Sequence, residues 1–111
     1  MSDSPADAGS PRAEHLLRLL ADDDRAGADS LLAGLDVRDL TFTGAGLTAI
    51  ARAEGRTLPP AQRAQASTRQ VDLGRLRDAN RADADGLRTW LVRAAEEVLF
   101  LRSLIARALT P

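Results

Sequence analysis

The chain has 111 residues, 15 basic against 16 acidic groups, a net charge of −1, one His and no Cys, and every basic residue is Arg. Without Cys there is no disulfide scaffold, thiolate nucleophile or zinc finger. Without Lys there is no Schiff base and no Walker A phosphate loop, and a single His cannot furnish a multi-histidine metal site.

Leu (18) and Ala (21) dominate, while Val and Ile together number six. Straight-chain and small side chains favour helix, and β-branched ones favour strand, so the composition predicts an all-α fold. Leu, Ile, Val and Phe make up 26 of the 111 residues, and a chain of this size buries only about two thirds of its unfolded surface. The core is therefore expected to be thin and to be completed by a second copy or a partner. The Arg- and Ala-rich usage without Lys looks like GC-rich coding and points to a bacterial source. Residues 1–40 hold nine acids and four Arg (−5), 41–70 one acid and four Arg (+3), and 71–111 six acids and seven Arg (+1). An acidic front and a mildly basic middle attract each other, within a chain or between chains. No apolar run approaches the roughly 18–20 residues of a membrane span, and Met1 to Arg12 hold no apolar stretch of the signal-peptide kind. A cytoplasmic protein without membrane contact is expected.

In chain order, residues 1–10 read as a disordered leader. Ser10 and Pro11 then form a helix-start signal, and Leu16, Leu17, Leu19 and Leu20 give one apolar side to a helix over about 11–22. Asp22, Asp23 and Asp24 end that helix or cap the next, which runs from Arg25 to Ala33, with Gly34 suited to a left-handed C-terminal turn. Residues 36–43 are open between a helical turn and an extended piece. A middle helix follows over 45–54, stopped by Gly55, and Pro59-Pro60 breaks the chain. The spans 11–58 and 72–111 are thus expected to be an N-terminal helical subdomain and a long C-terminal helix. Between them 59–71 reads as a linker, although 61–70 is also compatible with a weak helix. In the last segment Leu87, Leu91, Ala94, Val98, Leu101, Ile105 and Ala108 recur at spacings of 4, 3, 4, 3, 4, 3, a coiled-coil-like seam widened by Trp90 and Leu104. Val92, Ala95, Leu99 and Ala106 make a second stripe, and a helix apolar on two sides needs two neighbours.

Four motifs invite a chemical reading. Gly44-Ala45-Gly46-Leu47-Thr48-Ala49 matches the G-x-G-x-x-[GA] turn of dinucleotide sites. There is no acid near residues 66–68 to hold a ribose, and no repeated βαβ pattern, so a helix-entry turn is the better reading. The acids at 78–85 fail as a calcium loop, because with Gly86 at position 6, positions 1 and 12 are Arg81 and Val92. They are expected to pair with Arg77 and Arg81, with Asp83 or Asp85 capping a helix. His15 stands near Glu14, Arg18 and Asp22 with no nucleophile motif to serve. Residues 47–65 carry the Ala51-x-x-x-Gly55 spacing of a helix-turn-helix, with Arg52, Arg56, Arg63 and Arg69 as phosphate contacts. Against that reading, Pro59-Pro60 occupies the start of the recognition helix.

No catalytic, metal-binding or cofactor-binding constellation emerges. The expected function is a non-catalytic interaction or assembly module that self-associates through the C-terminal helix as a dimer, or binds a helical protein partner. Its interface would be Leu87, Trp90, Leu91, Ala94, Val98, Leu101, Leu104, Ile105 and Ala108, with partner choice set by Arg88, Glu97 and Arg102. The alternative is a small DNA-binding regulator that uses Arg52, Arg56, Arg63 and Arg69. Whether Trp90 serves core or interface is open at this level.

Overall fold

Ser4 begins the first helix: its Oγ accepts the Asp7 N–H at 3.1 Å, and Pro5 supplies the pre-set first helical position. In the computed structural model, which describes residues 4–109, five helices follow and no strand occurs among those residues. They are α1 (Pro5–Ala21), α2 (Arg25–Ala33), α3 (Val37–Gly55), α4 (Pro60–Ala79) and α5 (Ala84–Leu109). The protein is an all-α bundle with a long C-terminal helix, as its composition and the apolar spacing of its last segment predict. At about 1.5 Å per residue, the 26 residues of α5 are about 39 Å long, close to the longest dimension of the fold, 43 Å.

Several boundaries differ from the sequence reading, each for a local reason. The Ser-Pro start signal occurs twice, and the first copy is the one used. Pro11 lies inside α1 on its exposed side, and Ser10 donates its hydroxyl back to the Ala6 carbonyl at 2.6 Å. Of the leader expected over 1–10, residues 1–3 lie outside the described residues and 5–10 are helix. Asp22 closes α1 and Asp24 opens α2, accepting the Gly27 N–H at 2.8 Å, with Asp23 between them at φ 59°. Asp tolerates that left-handed conformation better than most side chains. Gly34 ends α2 at φ −83°, so the left-handed turn expected there does not form. Residues 37–43 are helical, because Asp36 caps α3 through the Asp39 N–H at 2.8 Å.

The expected linker over 59–71 is mostly helix α4. Pro59 and Pro60 stand at its first positions, where a missing N–H costs nothing, and so they start a helix rather than break one. Ala, Gln and Arg after them are good helix formers, and a shallow apolar side of Ala66, Leu73 and Leu76 leans on the core. The C-terminal helix therefore begins at Ala84 and not near 72, after a turn in which Asp83 accepts the Asp85 N–H at 3.1 Å.

One core joins all five helices. It is built from Leu16 and Leu17 of α1, Leu32 of α2, Leu40 and Leu47 of α3, Ala66 of α4, and Leu87, Leu91, Val98 and Leu101 of α5, with Leu58 from the turn before α4. Helices α1 and α3 share the most extensive interface, α5 packs across α3, and α4 touches α5 more than α3. The α1–α3 crossing is close because Gly9 and Gly46 meet there: a Cβ on Gly46 would lie 2.9 Å from the Gly9 carbonyl carbon. Buried Thr43 is satisfied by donating to the Asp39 carbonyl at 2.8 Å. No helix among the described residues is long and apolar enough to cross a membrane.

Candidate interaction cleft

The motifs singled out in the sequence resolve into structural roles. Gly44 and Gly46 are buried in the middle of α3 and not in a strand-to-helix turn. A side chain on Gly44 would overlap the Trp90 ring, and one on Gly46 the α1 backbone. The glycine pattern thus serves helix packing, and no helix N-terminus lies there to receive a phosphate. His15 is exposed on α1. Asp78 pairs with Arg77 at 3.1 Å and Arg81 at 3.6 Å. The hydrogen bond from Arg77 holds its carboxyl below the ordinary 3.8, helped by the charges of Arg77 and Arg81 and opposed by desolvation. Among the described residues no group of three or more His, Cys, Asp or Glu side chains stands close enough to hold a metal ion.

The α5 seam is covered chiefly by the chain itself. Leu87, Trp90, Leu91, Ala94, Val98 and Leu101 are buried in the core, as are Val92 and Ala95 of the second stripe. Leu104 and Ile105 are half-buried, and Ala108 is exposed. Trp90 is a core residue with the Arg77 guanidinium 6.0 Å from its ring. The α1–α3 pair covers more of α5 than a count of large apolar residues suggests, because its glycines let the helices come close.

The three charges expected to select a partner are engaged within the chain. Arg88 donates through Nε to the Leu32 carbonyl and through Nη2 to the Leu35 carbonyl, both at 3.0 Å, so one fork satisfies the C-terminal end of α2. Glu97 accepts from Arg69 Nε at 2.7 Å, and Arg102 donates to Glu54 at 2.9 Å. Arg69 also lies 4.9 Å over the Phe100 ring, and its buried Nη2 has no acceptor among the described residues. Phe100, on the solvent side of α5, is 44% exposed.

A cleft of about 670 Å³ opens between α3, α4 and α5. It exists because α4 presents a face of small and polar residues to α3: Arg63, Ser67, Gln70, Gly74 and Arg77, spaced 4, 3, 4, 3, all line it. No large apolar side chain on that face fills the gap. The floor is apolar, formed by Leu47, Ala51, Trp90, Ala94 and Leu101, and Val71 on the lip is 53% exposed. The rim carries Arg52 and Arg56 from the end of α3, and Arg63, Arg75 and Arg77 from α4, against the single carboxylate of Asp78. Arg63 donates to the Leu58 carbonyl at 3.1 Å, and Arg52 and Arg56 have no ion-pair partner among the described residues.

Three of the four arginines proposed for nucleic acid, Arg52, Arg56 and Arg63, therefore stand together. Arg69 is apart from them, held by Glu97 beside a second depression. Val71, Arg75 and Arg77 also belong to the cleft, although the sequence offers Arg77 only as a partner for the nearby acids. For Arg77 the signal is the 4, 3, 4, 3 spacing from Arg63, which a linker over 59–71 obscures; Val71 and Arg75 lie off that spacing. The fold and cleft define a small helical bundle with an arginine-rimmed apolar groove. Compared with protein families, with curated proteins and with solved structures, the chain matches none.

Proposed function

We propose that the protein is a non-catalytic helical interaction module whose contact surface is the α3–α4–α5 cleft, and that its partner is another protein. The observation that carries this reading is the open cleft itself, with its apolar floor and the exposed Val71 on its lip. Apolar concavities with a few placed polar groups are the usual form of a binding site. A second copy docked along the α5 seam is the weaker occupant. Residues 87–101 of that seam are committed to the core, which leaves Leu104, Ile105, Ala108 and the 79% exposed Leu109 at the helix end.

The experiment is binding of a fluorescent apolar dye, such as an anilinonaphthalene, to the native full chain and to Gly55→Phe. Gly55 lines the cleft and a Cβ there meets nothing within 4 Å, so a side chain at that position starts in open space. Saturable binding to the wild type, lost in Gly55→Phe at unchanged melting temperature, supports the cleft; equal binding by both proteins refutes it.

The arrangement of Arg52, Arg56 and Arg63 on one rim favours one second reading, a nucleic-acid-binding regulator. Duplex binding that falls steeply with salt and is lost when these three become Gln supports it. No binding at low salt removes it.

A further inference from the structure

We infer that the occupant of the cleft is an acidic amphipathic helix of a partner protein, which inserts an apolar stripe between α3 and α4 while carboxylates on its flanks meet the arginine rim. This inference rests on the cleft being the contact surface, and it adds the chemistry of what binds there.

The charge distribution selects the partner. Arg52, Arg56 and Arg63 mark one end of the cleft, and Arg75 and Arg77 the other. Along α4, Arg63 to Arg77 spans about 21 Å at 1.5 Å per residue, the length of four helical turns. The one acidic residue lining the cleft, Asp78, is engaged by Arg77 and Arg81, and Arg75 lies 3.7 Å from Asp72, so three arginines against two carboxylates leave that end net positive. A single-headed amphiphile, such as a fatty acid, places its one anion at one end and leaves the net charge of the other end unmet. A nucleic-acid duplex offers phosphates but no apolar groups for a floor of Leu47, Trp90 and Leu101. A helix with apolar residues at i, i+3 or i+4, and i+7, and acids on both sides of that stripe, satisfies floor and both ends together.

The cleft can receive inserted side chains because α4 is the least anchored wall. Ala66 is its only fully buried residue among those described, and its contact with α3 is slight. Gly74, in mid-helix on the cleft side, would bring a Cβ no closer than 3.6 Å to the Arg77 guanidinium. There is room at that position for a guest side chain.

The test is selection of a displayed library of helices of roughly 18 residues, about 27 Å long, with stripe and flanking positions randomised. The full chain is the target, and each recovered helix is then measured against Gly55→Phe and against the double variant Arg52→Gln/Arg56→Gln. The expected result is recovery of helices with large apolar residues on the stripe and an excess of Asp and Glu on the flanks. Their affinity should fall about tenfold or more in the double variant, as expected for lost charge pairs at an interface, and should fall with salt. Recovery of neutral or basic flanks with binding still lost in Gly55→Phe overturns the acidic partner and leaves the cleft standing. Helices that bind Gly55→Phe as well as the wild type overturn the cleft reading itself. Failure to recover any helix overturns the helical partner. Oleate and a single-stranded oligonucleotide then serve as direct probes: arginine-dependent binding of either assigns the cleft to that ligand, and binding of neither refutes the cleft.

Discussion

Trp90 of α5 lies against Gly44 of α3 with no space for a side chain between them: a methyl group at Gly44 would overlap the far edge of the indole ring. The only Trp of the chain is thus seated in a notch that a glycine makes in the facing helix, and the Arg77 guanidinium covers it from α4. The glycine stabilises nothing by itself. It lowers helix propensity by about 1 kcal/mol relative to Ala, and it is offset by burial of the largest side chain in the core.

Glycine substitutions should therefore diverge in sign. Gly44→Ala gains helix propensity but overpacks the Trp90 site, and overpacking costs about 1–3 kcal/mol, so net destabilisation is expected. Gly9→Ala should cost more, because its Cβ would overlap the Phe42 carbonyl, and backbone cannot rotate away. Gly74→Ala meets no close neighbour and should stabilise by about 1 kcal/mol. Thermal denaturation followed by circular dichroism reads all three, at about 4–8 °C per kcal/mol for domains somewhat smaller than this one. A stabilised Gly9→Ala would show that the α1–α3 crossing is looser than described.

Arg88 should act as a tie between α5 and the end of α2. Replacing it by Met keeps most of the aliphatic stem and removes both donors from the Leu32 and Leu35 carbonyls. Hydrogen bonds from a charged group contribute about 1.5–3 kcal/mol each at most, and the side chain is 28% exposed. A loss of about 2 kcal/mol is expected from chemical denaturation. Arg88→Lys should recover only part of it, since one ammonium lacks the fork that reaches two carbonyls.

Charges placed along α5 should separate core from surface. Leu101 is fully buried, so Leu101→Glu puts an unpaired carboxylate into the core and should unfold the protein at neutral pH. Leu109, near the end of the helix, is 79% exposed, and Leu109→Glu should change stability by no more than about 0.5 kcal/mol. Mass-resolved sizing should find the wild type as a single chain. A wild-type dimer that Leu101→Glu converts into a helical, folded monomer would place the 87–101 seam between chains and not within one.

Asp78 gives a pH dependence of known sign. Its folded carboxyl titrates below the ordinary 3.8 because Arg77 donates to the ionised form. The contribution of the ionised group to stability is therefore present above 3.8 and is lost as pH falls through the lowered value. Asp78→Asn should lose less stability than the wild type on acidification from about pH 5 to pH 2. Parallel acid profiles for the two proteins would show that the Arg77 contact is absent in solution.

The sequence by itself determined the helical class, because helix formation is a local matter of propensity, capping and the i to i+4 ladder. The Leu- and Ala-rich composition, the capping run that ends at Asp24, and the apolar spacing of α5 can all be read from neighbours within one or two turns, whereas residues 36–43 stay open between helix and extended chain and the cap at Asp36 emerges only in the structure. The existence of α4 was half legible: its helix formers were visible, but its shallow apolar side could not be weighed without α5 beneath it. Which surface covers each stripe of α5 was decided only in three dimensions. It depends on how closely α1 and α3 approach, which rests on Gly9 meeting Gly46 from 37 positions away. The same holds for the charges. Arg88 is separated from Leu32 by 56 positions, Arg102 from Glu54 by 48 and Arg69 from Glu97 by 28. Composition counts such groups as surface charge, whereas the tertiary fold determines which of them meet a partner. Arg52 and Arg56 have no ion-pair partner among the described residues, because packing brings none of their carboxylates to that rim of the cleft.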